Sequence, residues 1–198
     1  MSLAIISSTE LEAVNAILNN IGETSVASLE DETLIDAQMA RSLLTNVSRE
    51  VQTKSWHWNT DIERKMLRNN KGEIILPTNT MMVSPAGIDR DLALVQRGRF
   101  LYDRTKHTYN FEKDITVDLT IALPFDEMPE SARRFVTLRA ARMFQEQTIS
   151  SESLAQGDRI DEAIAYSTMM NEHLRVGNFS MLNDSITTRS VTFRRGVY

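Results

Sequence analysis

Asp126 and Glu127 stand side by side in the stretch "ALPFDEMPESARRFVTLRAARMFQEQ", with arginines close behind at 133, 134, 139 and 142. Two neighbouring carboxyls suggest acid–base chemistry, and the arginines suggest an anion. A glycan-cleaving pair must face each other across a sugar at about 5 to 10 Å, with one carboxyl kept protonated by apolar or like-charged surroundings. Adjacent residues ahead of a helix point in divergent directions. Their position just before Pro129 suits the positive end of a helix instead. At about 100° per residue the arginines fall near 0°, 100°, 240° and 180° around a helix, so they make no one-sided phosphate row. They are better placed to meet acids of a neighbouring helix or subunit. The stretch reads as a structural junction, and no catalytic residue is assigned.

The other chemical candidates are weaker still. In "SWHWN" an extended backbone would put Trp56 and Trp58 on one face, as a sugar-stacking platform or as a hydrophobic plug where a helix meets the next segment. The plug is the expectation, because aromatic side chains dominate buried contact energy. His57, His107 and His173 lack metal-ligand spacing. With no cysteine there is no disulfide, thiolate metal site or cysteine nucleophile, as befits assembly in a reducing cytoplasm. No H-E-x-x-H, G-x-S-x-G, phosphate-loop or dinucleotide glycine pattern occurs. No cofactor and no metal are expected. The ten methionines read as gap-filling core.

The elements that carry these residues follow from pattern. A chain of 198 residues, 41% hydrophobic and 25% charged, can bury one core or a compact body with an inserted lobe. "TELEAVNAILNNIGE" opens with Thr9 and Glu12 at capping-box spacing, carries Leu11, Val14, Leu18 and Ile21 as its stripe, and stops at Gly22. "TLIDAQMARSLLTNVSREVQTKSW" lines Ala37, Ala40, Leu44, Val47 and Val51 along one helix face. Between Trp56 and Pro124 turn signals crowd in, separating "EIILP", "TMMV", "LALVQ", "RFLY" and "DITVDLTIAL". The last alternates Ile115, Val117, Leu119 and Ile121 with polar residues, the period of a half-buried strand. "QRGRF" reads as a hairpin turn with basic flanks.

Helix returns at Pro129, with Ala132, Val136, Ala140 and Met143 inward and Phe135 and Phe144 beside them. A fourth helix, roughly residues 151–176, is expected to turn Ile160, Ala163, Ile164, Met170 and Leu174 inward and to stop at Gly177. The expected fold class is α+β: a four-helix bundle body with an inserted small antiparallel β lobe and an extended C-terminal arm. The corresponding boundaries are 1–55 and 129–176 for the two halves of the body, 56–128 for the lobe and 177–198 for the arm.

Net charge is −5, which opposes a sequence-reading DNA binder. The charge is uneven: residues 1–56 hold eight acids and three bases, residues 129–198 eight acids and nine bases. Such polarity suits different partners at the two ends. Neither a secretory signal nor a membrane-length apolar run is visible.

The stretches "LEAVNAILNNIGETSVASLE", "LYDRT", "ITVDLTIALPFDEMPESARRFVTLRAARMF" and "SMLND" resemble, in order and separation, the tail tubular protein A family of short-tailed phages. "FDEMPE" before an arginine-containing helix is the most specific piece, and residues 56–98 depart most from the family pattern. The resemblance implies a non-enzymatic protein of the virion tail, assembled in the host cytoplasm. It implies a twelve-membered ring that connects the portal to the tail nozzle and forms part of the DNA ejection conduit, with the β lobe facing the nozzle. The implied partners are further copies of the chain, the portal protein, the nozzle protein and genomic DNA passing without sequence-specific binding; no membrane is involved. Contacts with neighbours or portal are expected at Arg133, Arg134, Arg142, Arg189, Arg194, Arg195 and Tyr198, the last four on an arm with too little apolar content to fold alone. The rival reading is a glycan-hydrolysing tail component acting on host surface polysaccharide. A DNA-binding virion factor, third, would lose affinity steeply with salt.

Overall fold

The computed structural model describes residues 8–30, 34–148 and 152–184. Four helices and a set of short antiparallel strands make it an α+β chain: α1 (Glu10–Asn20), α2 (Ile35–Gln52), β1 (Thr60–Met66), β2 (Thr80–Pro85), β3 (Leu94–Arg97), β4 (Phe100–Asp103), β5 (Ile115–Ile121), α3 (Glu130–Thr148) and α4 (Glu152–Asp184). Short 3-10 turns cover Gly87–Asp89 and Phe125–Glu127. Two separate cores result.

The first core belongs to the helices. The capping box at the start of α1 is present: Oγ1 of Thr9 accepts the Glu12 N–H at 3.2 Å, and the Glu12 carboxylate accepts the Thr9 N–H at 2.8 Å. Gly22, at φ 84°, ends the helix in the left-handed conformation that a residue without Cβ adopts freely. The buried face of α1 is Ala13, Val14, Ile17 and Leu18, with Leu11 and Ile21 at its margin, so the stripe is rotated from the expected one. In α2 the five expected residues, Ala37 to Val51, are all buried. Ala132, Phe135, Val136, Ala140 and Phe144 of α3 complete the centre, and α3 packs against α1, α2 and α4.

The fourth helix departs from expectation twice. Among its described side chains the buried ones are Ala165 and Met169, while of the five residues expected inward Ile160, Ala163, Ile164 and Leu174 are exposed and only Met170 turns partly inward. Both faces of α4 are apolar, so periodicity alone cannot say which one meets α3. The ring contact of Phe135 with Tyr166, 5.3 Å between centroids, shows the choice made. Nor does α4 stop at Gly177; it runs to Asp184. One interior glycine costs only about 0.5–1 kcal/mol relative to alanine, and no proline or turn cluster follows to break the helix.

The second core lies in the lobe. β5 sits at the centre of a three-stranded sheet of order β1-β5-β2, antiparallel throughout, and β3 and β4 form a separate hairpin. Ile115, Val117 and Leu119 are buried as their alternation demands, against Met66, Ile74, Leu76, Leu101 and Phe111. The hairpin turns at Gly98 and Arg99, with Gly98 at φ 59°. Pattern reading misses β1, because four of its seven residues are exposed and three of those are charged. A bulge there sets Glu63 at φ 51° and hands its N–H to the Asp118 carboxylate at 2.8 Å. The expected strand "EIILP" forms only isolated bridges, to Arg68, Asn110 and Phe100. Ile74 and Leu76 are buried there, but with three different partners no continuous ladder can form.

Candidate functional site

The chemistry-bearing residues converge where the chain passes between the helices and the lobe. Asp126 and Glu127 occupy the Phe125–Glu127 turn, both exposed. Asp126 accepts the Glu10 N–H at 3.1 Å, satisfying one of the free amides at the start of α1. Beside it Glu130 accepts both the N–H and the hydroxyl of Ser8, and Arg133 donates to the Ser8 carbonyl at 2.7 Å. Acid and arginine therefore clamp the start of α1 onto the start of α3. Asp126 is thus taken up by a backbone amide and both carboxyls are exposed, unlike an acid pair in which apolar surroundings keep one member protonated.

Behind the clamp lies a buried polar bolt that pattern reading misses. Gln52, 1% exposed, ends α2 and pairs with the main chain of Leu123: its Oε1 accepts the Leu123 N–H at 2.7 Å and its Nε2 donates to the Leu123 carbonyl at 3.0 Å. Asn59, equally buried, donates to the Gln52 carbonyl at 2.8 Å and to the Ile121 carbonyl at 3.2 Å. Two amides thus stand in for the strand partners that the departing backbone of β5 lacks. No periodicity marks it: at about 100° per residue Gln52 lies roughly 140° from Val47, off the apolar face of α2.

Trp56 fills the corner as the expected plug, in a turn rather than a strand. It is 2% exposed, its indole N–H donates to the Val51 carbonyl at 2.7 Å, and Trp58 stacks parallel to it at 6.5 Å. His173 of α4 meets the edge of Trp56 at 5.2 Å and stacks on His57 at 5.6 Å. The His57 N–H donates to Nδ1 of His173 at 3.2 Å, and the two Nδ1 atoms lie 3.4 Å apart. Burial, with His173 adding to it, lowers the His57 pKa, opposed weakly by Glu172. Two imidazoles distant in sequence are neighbours here; His107 is exposed and elsewhere. Among the described residues no three His, Asp or Glu side chains gather as a metal site.

The remaining arginines of α3 join helices to one another. Arg139 bridges Glu50 of α2 at 2.7 Å and Glu162 of α4 at 3.2 Å; Arg142 holds the same Glu162 at 2.5 Å and Glu146 at 2.8 Å. Glu162 above all, with Glu146, raises the Arg142 pKa, and Arg142 in turn lowers that of Glu146. A cavity of about 480 Å³ opens there, lined by Lys54, Arg139, Arg142, Arg159, Glu162 and Tyr166 among others, but its cations are largely matched by acids. Of the residues expected at contacts, Arg133 and Arg142 are engaged within the chain and Arg134 is exposed. Arg189, Arg194, Arg195 and Tyr198 lie outside the described residues. No described helix is long and apolar enough to cross a membrane.

A groove of about 460 Å³ along α2 and the crossing segment, lined mainly by carbon, also carries no catalytic constellation among its described residues. The arrangement can brace two cores and offer surfaces. Comparison with known proteins agrees with that reading. Residues 11–179 match the profile of the tail tubular protein family. The chain is also similar to tail tubular protein A of Klebsiella phage KP34, 27% identical over 172 residues, which is 86% of this chain and 90% of that protein. A match that spans both cores and the junction between them places the chain in the tail tubular protein family, as a structural component of a phage virion tail and not an enzyme.

Proposed function

We propose that the chain is an adaptor subunit: twelve copies form a ring that connects the portal to the tail nozzle and makes part of the channel through which the genome leaves. The family match across residues 11–179 carries this reading. The two cores support it, since a helical core and a separate strand core give one subunit two unlike ends. In this reading residues 1–55 and 129–176 form a four-helix body, residues 56–128 form the lobe that meets the nozzle, and residues 177–198, the first of which continue α4 to Asp184, form an arm that docks on the portal or an adjacent subunit.

Arg133 and Arg142 are already held by Ser8, Glu130, Glu162 and Glu146, so contact through them requires an exchange of partners. Arg134 is exposed and available without such an exchange, and Arg189, Arg194, Arg195 and Tyr198 are the contacts assigned to the arm. The channel wall carries no continuous basic lining, because a passing polyanion must not be held; net charge −5 is in keeping with that. The mass of the complex formed by purified chain and portal protein tests the proposal. Twelve chains per portal ring is the expected result, and deletion of residues 180–198 should weaken attachment. A chain that stays free at every mixing ratio would refute it.

A further inference from the structure

We infer that the outer face of α4 and the groove between α1 and α2 are the two halves of one head-to-tail contact between copies of this chain. The inference rests on the ring reading and adds to it the surfaces that meet.

α4 is apolar on two sides. Taking Ile160 as 0° and about 100° per residue, Ile164 lies near 40° and Leu174 near −40°, with Ala163 and Ser167 between or beside them. Ala165 and Met169, which meet α3, lie near 140° and 180°. Ile160 and Ile164 are each 58% exposed and Leu174 is 48% exposed. Helices apolar on both faces are ordinarily covered on both faces. From Ile160 to Leu174 the stripe runs about 21 Å, enough for a subunit contact.

A second, unlike apolar surface lies on the other part of the body. A groove of about 310 Å³ is lined by Leu18, Val26, Leu34 and Ile35, with Glu23 and Asp36 among its polar walls. Ile35 is 70% exposed, and Met39, one turn further along α2, is also exposed. Because α4 lays its inner face on α3, its outer stripe faces away from α1 and α2. A single chain cannot close these two surfaces on each other, but a second copy can.

The charges match in sign. Among the described residues that line the groove the exposed charged groups are Glu23 and Asp36. Along the outer side of α4 they are Arg159 and Arg175, with Asp161 between. Arg159 already touches Glu146 at 3.3 Å but remains mostly exposed, and Arg175 stands beside Leu174. Two different patches, opposite in charge and turned away from each other, make a heterologous contact, the kind that closes into a ring when its rotation allows. A stripe-to-stripe pairing would set like charges together.

The chain has no cysteine, so trapped disulfides report contacts directly. Ile164→Cys and Ile35→Cys chains, both at exposed sites, are mixed with wild-type portal protein, oxidised with copper phenanthroline and read on non-reducing gels. The mixture should give at least tenfold more disulfide dimer than either variant alone, and the double variant should give a ladder of higher oligomers. Particles are counted in electron micrographs of the same samples. If rings form on the portal without the mixed disulfide, or if Ile164→Cys cross-links to itself, this contact is wrong while the adaptor reading stands. If wild-type chain forms no rings, the adaptor reading fails and this inference with it.

Discussion

At the scale of single residues, the groups that look catalytic hold backbone. Asp126 satisfies the first amide of α1, Glu130 and Arg133 close on Ser8, and Arg139 and Arg142 tie α3 to α2 and α4. That Asp126 acts at a helix end is legible only in part: adjacency before a helix argues for helix-end electrostatics, but the amide it holds belongs to α1 and not to the α3 that follows it. Gln52 and the pairing of His57 with His173 are not legible, since they depend on which distant segments meet. The histidine pair has a measurable consequence. Burial and the neighbouring imidazole lower the His57 pKa, so below the unfolded value of about 6.5 the unfolded chain binds more protons than the folded one. The stability held at neutral pH by neutral His57 therefore declines as pH falls from about 6.5 towards its lower folded pKa. Around the pair stand Glu172 on α4 and the indole of Trp56. Thermal unfolding followed between pH 7.5 and 5 should show this decline, and His57→Asn should flatten it; a wild-type melting point that does not move across the window would contradict it.

At the scale of elements, legibility followed exposure. α2 and β5 could be read closely because each has one dry and one wet face, and a single periodicity then settles orientation. β1 escapes pattern reading because it is an edge strand with one buried residue, and the inner face of α4 does not follow from periodicity because both its faces are apolar. Two substitutions on α4 separate these faces. Met169→Ala should cost the isolated chain about 2–5 kcal/mol through a cavity against α3, whereas Ile164→Ala should change stability by less than about 0.5 kcal/mol. Denaturant unfolding measures both, and equal effects would mean that the helix is docked differently. The crossing between the two cores depends on Gln52. Gln52→Leu removes the hydrogen bonds to Leu123 as well as those to the Ser48 hydroxyl and the Met128 sulfur, and leaves the Leu123 amide and carbonyl unpaired in a half-buried setting, so a loss of about 2–4 kcal/mol is expected from the same measurement. A loss under about 0.5 kcal/mol would show that water or relaxation replaces the bolt.

At the scale of the whole molecule, the chain is built as a two-ended part. One core is helical and carries exposed apolar surfaces on α2 and α4; the other is a small strand lobe, joined to it by Gln52, Asn59 and Trp56. Rigid joining matters for an adaptor, because contacts made at one end set the position of the other. The central claim is that nozzle protein reaches the portal only through this chain, and a bridging assay tests it most directly. Portal-bearing heads, nozzle protein and this chain are mixed in all pairwise and triple combinations, and sedimented heads are assayed for nozzle. The account predicts nozzle on heads only in the triple mixture; nozzle bound equally well without this chain would contradict it.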